Sequence, residues 1–105
     1  MNKLYKLVVY VPLDHADKIR EALHSSGAGE MGNYDQVTFS ARGMGRFRPL
    51  AAANPAIGEV GKLELVEEER IETVVTEDII EKVLSAVRAA HPYEEPAIDI
   101  YELYE

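Results

Sequence analysis

The same order of secondary-structure signals occurs twice along this chain, and that repetition limits the folds it can adopt. Leu4–Ala41 and Leu63–Tyr104 each contain a strand pattern, an amphipathic helix pattern and a second strand pattern. The resulting order, β-α-β-β-α-β, is that of the split βαβ arrangement. We therefore expect an α+β, ferredoxin-like sandwich in which a four-stranded antiparallel sheet carries both helices on one face.

The four strand patterns predict different kinds of burial. The first is apolar on both faces and ends at Pro12, whereas the second alternates with period two and should bury one face. Glu67–Glu69 interrupt the third, which predicts either a bend or bulge there or a strand end that projects past the sheet. The fourth follows Pro96, as suits an edge strand. The predicted strands are Leu4–Val11, Tyr34–Ala41, Lys62–Val75 and Ala97–Tyr104.

Two helices, Asp14–Ser26 and Glu77–Ala90, are predicted from apolar stripes with helical spacing. Asp14 and Thr76 are residue types that favour the N-cap position, where a side-chain oxygen accepts a hydrogen bond from a free backbone N–H. Gly27 is the expected residue just after the first helix, because the chain usually turns there through a left-handed conformation.

Length and composition restrict the classes of partner. The 105 residues suffice for one domain, taken as 1–105, and the 47% apolar share is that of a globular protein. A formal net charge of −8 argues against nucleic acids and anionic membranes, because both bind positive surfaces. The absence of cysteine excludes disulfides and thiolate chemistry. With neither a signal-peptide pattern nor an apolar run of roughly 20 residues, we expect a cytoplasmic protein.

The segment Gly43–Gly61 begins with a local reversal of charge. Arg42, Arg46 and Arg48 place three of the chain's 11 Lys and Arg residues close together. Guanidinium groups bind carboxylates and phosphates through paired donors, and the glycines between them would let backbone N–H groups approach an anion. The segment is predicted to be a long loop that recognises a small anionic ligand or a protein partner. The alternative is that these arginines form ion pairs with Glu67–Glu72.

The segment His91–Glu95 is a second candidate site. Imidazole and carboxylate groups suit zinc or copper, so this loop is an alternative site for a divalent metal. The competing interpretation is that His91 caps carbonyl groups at the end of the second helix. No nucleophile and base stand in a catalytic pattern, so no catalytic residue is assigned and no enzyme is expected.

The second face of the predicted sheet carries apolar residues. Val8, Tyr10 and Tyr101 fall on it, opposite the face that should carry the helices. An apolar surface of this kind is a common site of association, so we expect the chain to self-associate through this face or through a sheet edge.

Two motifs resemble the insert domain of the YqfO (Nif-three-like) family. They are Gly45-Arg46-Phe47-Arg48-Pro49 and His91-Pro92-Tyr93-Glu94-Glu95-Pro96-Ala97, and the start of the chain at Lys6–Pro12 is similar as well. The likeness covers essentially the whole chain. The run His91-Pro92-Tyr93-Glu94 also resembles the last loop of the CutA family.

This resemblance implies a PII-like or CutA-like fold, a homo-oligomer that is commonly a trimer, and ligand or partner binding through loops near subunit boundaries. It also places the His91–Pro96 exit in the same module as the arginine-rich loop. Full-length proteins of the family carry a two-metal site in flanking domains and have been labelled cyclohydrolase-like. That site has no counterpart in this sequence, so we expect a stand-alone, non-enzymatic domain without a cofactor. Ligand binding is assigned to Arg42, Arg46, Phe47, Arg48, Tyr93 and Glu94.

Overall fold

Four strands form one antiparallel sheet with the spatial order β2-β3-β1-β4. The computed structural model describes residues 3–104. In chain order its elements are β1 (Leu4–Pro12), α1 (Ala16–Ser25), β2 (Phe39–Phe47), β3 (Glu64–Thr76), α2 (Ile80–Ala90) and β4 (Ile98–Glu102). Both helices pack on one face of the sheet, so the ferredoxin-like α+β fold expected from the sequence is confirmed.

The core lies between this face and the two helices. Alternate residues of β1 and β3 point into it because side chains along a strand alternate between the two faces. The helices contribute their apolar stripes, as the spacing predicts. Its fully buried members include Leu7, Val9, Val11, Ile19, Leu23, Ile71, Val75, Val83 and Val87.

The strand β3 is longer than either of its neighbours and is offset between them. Its residues 68–76 pair with β1 and its residues 64–72 pair with β2, in an unbroken register. The interruption at Glu67–Glu69 therefore lies where β3 begins to project past β1, and no bulge is present there. The projecting part, residues 64–67, pairs with β2 alone, and we call residues 44–47 and 64–67 the ribbon.

The prediction for β2 was wrong in position. The strand was expected at Tyr34–Ala41, but it spans Phe39–Phe47, so the first five residues of the predicted Gly43–Gly61 loop are strand. Gln36 has a positive φ of 56°, which ends extended structure before residue 39. The expected buried face is also absent, since Phe39 is 66% exposed.

The helices begin later than the N-cap prediction implies. A short 3₁₀ turn, Leu13–His15 or Glu77–Ile79, precedes each α-helix, and neither Asp14 nor Thr76 caps a backbone N–H with its side chain. The predicted helix end is confirmed: Gly27 has φ +102° and donates its N–H to the carbonyl of His24. Within residues 3–104, neither helix is long and apolar enough to cross a bilayer.

The open face of the sheet is less apolar than the sequence suggested. Val8 is fully buried although it lies outside the core cluster. Its strand partner Glu72 forms ion pairs with Lys6 at 3.4 Å and with Arg70 at 3.1 Å. Arg70 also donates a hydrogen bond to the hydroxyl of Tyr10. Charged side chains thus cover the middle of this face, but Tyr101 and Phe39 nearer its margins remain 49% and 66% exposed. The strand β4 is an edge strand, as predicted.

Candidate functional site

A cleft of about 840 Å³ lies where the ribbon, the loop of residues 48–63 and the exit of α2 meet. Five of the six residues assigned to ligand binding line it, namely Arg46, Phe47, Arg48, Tyr93 and Glu94. Arg42 does not line the cleft. It lies earlier on β2, opposite Glu69. The cleft wall is mainly apolar, and its remaining members are Tyr10, Gly45, Pro49, Leu50, Ala52, Ala53, Pro55, Ala56, Ile57, Glu68, Glu95 and Ala97.

Two contacts join the predicted loop to the segment that follows α2. The rings of Phe47 and Tyr93 meet edge to face, with centroids 5.7 Å apart. The backbone N–H of Asn54 donates to Oε1 of Glu94 over 3.1 Å. The two segments that the sequence singled out separately therefore form opposite sides of one cleft.

The loop is anchored at its two ends. The N–H of Gly61 donates to the carbonyl of Pro49 over 2.8 Å, which closes the loop, and Pro49 is buried. Gly61 has a φ of +83°, a conformation that favours glycine. The loop is thus folded, and it forms one wall of the cleft beside the ribbon.

Glu68 is the site residue that sequence reasoning missed. It appeared only as one of three acidic residues interrupting β3 and as a possible ion-pair partner of the arginines, yet the residue is 9% exposed and lines the cleft. Its Oε2 accepts a hydrogen bond of 3.0 Å from the hydroxyl of Tyr93. Burial and this carboxylate together raise the pKa of Tyr93 well above its ordinary value, so the phenol stays protonated and acts as the donor.

The space that Glu68 occupies exists because Gly45 has no side chain. A Cβ atom at position 45 would overlap Oε1 of Glu68. Gly43, which is the strand partner of Glu68, has open space around it. Gly45 therefore has a structural role, but that role is to make room for the carboxylate of Glu68 and not to form a backbone cradle for an anion.

His91 is held by hydrogen bonds on both ring nitrogens. Its Nδ1 accepts from the N–H of Tyr93 over 3.1 Å, so Nε2 carries the proton and donates to the carbonyl of Tyr10 at 2.7 Å. Desolvation lowers the pKa of His91, and this effect opposes the raising influence of the Tyr10 carbonyl and Glu68. The imidazole is therefore neutral.

This geometry argues against both sequence interpretations of His91. Neither nitrogen has a lone pair free for a metal, and no group of three or more metal-ligating side chains occurs in residues 3–104. Its carbonyl partner belongs to β1 and not to the end of α2, so the helix-capping alternative was wrong as well.

The proposed ion pairs of the arginines with Glu67–Glu72 are not observed. Within residues 3–104, Arg42, Arg46 and Arg48 form no salt bridge with an acidic side chain. Two of the expected acidic partners are engaged elsewhere: Glu69 with Arg20 at 2.7 Å, and Glu72 with Lys6 and Arg70. Arg46 and Arg48 therefore line the cleft without an acidic partner in the described part of the chain.

The chain is similar to proteins of known sequence and structure. No family model matches the chain. It is 55% identical over 102 residues to a "GTP cyclohydrolase 1 type 2 homolog" of Halalkalibacterium halodurans, an alignment that covers 97% of this chain and 27% of the relative. The chain thus spans about a quarter of the length of the curated relatives it matches.

Solved structures give the same result. The chain superposes on a Bacillus cereus protein related to NIF3 with a TM-score of 0.84 and 45% identity, covering 99% of this chain and 26% of that one. It also superposes on the periplasmic divalent cation tolerance protein CutA from Archaeoglobus fulgidus with a TM-score of 0.68 and 18% identity, covering 100% and 86%. The second likeness concerns the fold alone.

Proposed function

Because this chain is homologous to one segment of the YqfO (Nif-three-like) proteins, we propose that it is a non-enzymatic binding or regulatory module of that family. It forms a single domain, 1–105, that works in the cytoplasm and recognises a small anionic ligand or an acidic group of a protein partner. The ligand enters the cleft between the ribbon and the exit of α2. Arg46, Phe47, Arg48, Tyr93 and Glu94 form its walls.

The observation that carries this proposal is a pair of arginines without an acidic partner among the residues that line an apolar cleft. Arg46 and Arg48 line it and form no salt bridge within residues 3–104. By contrast, Lys6 and Arg70 of the sheet and Arg20 of α1 each have an acidic partner. A pocket with apolar walls and a few charged groups is the usual form of a small-molecule site.

The name carried by the relatives refers to proteins about four times as long as this segment. The cleft brings together no nucleophile, base and oxyanion donor in a catalytic arrangement. We therefore propose that any cyclohydrolase-type activity belongs to other parts of such proteins, and that this segment binds or regulates.

The test is a titration with phenyl phosphate, followed by NMR of ¹⁵N-labelled protein. Wild type should show saturable shifts of amides in residues 46–57 and 93–95. Arg46→Ala should weaken binding about tenfold, because it removes one charge-assisted contact. Arg42→Ala is the matched control, since it removes the same charge from the same strand outside the cleft. Equal affinities in the Arg46→Ala and Arg42→Ala variants would contradict the assignment.

We also propose that the chain is a homo-oligomer, with a trimer favoured by analogy with CutA-like and PII-like domains. The exposed aromatic residues at the margins of the open face support this, and so does the ribbon. Met44 and Leu65 are 60% and 59% exposed on the ribbon, and Leu63 beside them is 52% exposed. This exposed apolar strip on a projecting element is the surface that a second copy would cover.

A further inference from the structure

The carboxylate of Glu68 is a part of the cleft that anion binding does not use. The residue is about nine-tenths buried, and Tyr93 donates to Oε2. The other oxygen, Oε1, accepts no hydrogen bond from any residue in 3–104 and lies over Gly45, within the cleft lining. No fully buried side-chain oxygen or nitrogen in that range lacks a partner, so Oε1, which has none, keeps some exposure to solvent.

A ligand that filled the cleft would remove water from Oε1. A buried carboxylate oxygen without a donor is costly, and a second negative charge beside it would be repelled. A plain anion therefore meets an unfavourable group in the same cleft that attracts it through Arg46 and Arg48. A ligand that carried only a positive charge would be attracted by Glu68 and repelled by the two arginines. The cleft is dipolar, and its charges suit a molecule that presents an acid at one end and a donor at the other.

We propose, on the basis of the function proposed above, that the ligand is an aromatic anion that also carries an N–H donor. Its acidic group binds Arg46 and Arg48, its ring packs against Phe47 and Tyr93, and its N–H donates to Oε1 of Glu68. Glu68 is then the residue that determines specificity. The hydroxyl of Tyr93 fixes the carboxylate by occupying Oε2, so only Oε1 is presented.

Two probes that differ by one amino group test this inference: phenyl phosphate and 4-aminophenyl phosphate. Wild type should bind the amino compound about tenfold more tightly, because the added hydrogen bond is to a charged acceptor. In Glu68→Gln, the side-chain amide directs its own N–H groups at the ligand or at Tyr93, so the preference should disappear. Glu67→Gln is the matched control and should retain the preference, because it removes the same charge from an exposed neighbour that does not line the cleft.

The outcomes separate the two proposals. Equal binding of both probes by wild type would overturn the role of Glu68 and leave anion binding intact. Binding of neither probe would overturn both. Should Glu68→Gln fail to fold, Glu68→Asp takes its place, because it keeps the charge but draws the carboxylate back by one methylene and should lower the preference.

Discussion

The Nε2 atom of His91 lies 2.7 Å from the carbonyl oxygen of Tyr10, a residue 81 positions earlier in the chain. This hydrogen bond joins the exit of α2 to the end of β1. The N–H of Tyr93 donates to Nδ1 of the same ring, so the imidazole sets the course of the following residues. Tyr93 and Glu94 reach the cleft because His91 holds the turn that carries them.

Acidification should destabilise the protein through His91. Its pKa is lowered from the ordinary 6.5 mainly by desolvation. As the pH falls below 6.5, the unfolded chain therefore takes up a proton that the folded chain does not, and stability is lost. The slope contributed by this one proton is at most about 1.4 kcal/mol per pH unit. Urea denaturation at a series of pH values would measure it.

The variant His91→Gln keeps a donor for the Tyr10 carbonyl and cannot titrate in this range. Its free energy of unfolding should therefore lose this dependence on pH. His24→Gln is the matched control, because His24 is an exposed histidine of α1. A wild-type slope that survives His91→Gln and disappears in His24→Gln would show that the group responsible has been misidentified.

Gly45→Ala should disturb the cleft, whereas Gly43→Ala should not. A Cβ at position 45 displaces the carboxylate of Glu68 and so breaks its hydrogen bond with Tyr93. We expect a loss of about 1–3 kcal/mol in the free energy of unfolding. Gly43 lies on the same face of the same strand with nothing within 4 Å, and its substitution should stay within about 0.5 kcal/mol. Equal costs for the two variants would contradict this account.

Zinc or copper should not stabilise the folded protein. A metal at His91 would have to break one of two hydrogen bonds that organise the exit of α2. Thermal melts of untagged wild type with and without excess metal should give the same Tm within about one degree, since a ligand that does not bind the folded state shifts nothing. A rise of several degrees that His91→Gln abolishes would restore the metal-site hypothesis.

The exposed strip on the ribbon should control self-association. Leu65→Lys places a charge at the centre of that strip and should shift the mass measured by light scattering toward the monomer. Tyr104→Lys makes the same kind of change at a fully exposed position near the end of β4 and should leave the mass unchanged. A monomeric wild type at micromolar concentration would rule out the proposed oligomer.

The sequence predicted the type and order of the elements because those signals are local. Apolar spacing fixes which face of α1 is buried, as Ile19 and Leu23 show. The position of β2 was not predictable in the same way. Gly43 and Gly45 read as loop residues, but backbone pairing with β3 makes them strand, and pairing does not depend on their side chains.

The candidate site was only partly predictable for a related reason. The two motifs that form its walls were visible in the sequence. Their meeting depends on contacts such as Phe47 with Tyr93, which join distant parts of the chain. Glu68 was missed because its role is set by the register of β2 against β3, which places it beside two glycines. Its neighbours Glu67 and Glu69 carry the same charge in different surroundings.

The absence of a side chain at position 45 also has an evolutionary consequence. Because one atom at that position occupies the volume of the Glu68 carboxylate, the two positions are not free to vary independently. A lineage that acquires a larger residue at 45 should also replace Glu68 by something smaller, and with it lose the acceptor that Tyr93 needs. Substitutions at positions 45, 68 and 93 should therefore occur together, and the residues at these positions should indicate which homologues keep the same cleft.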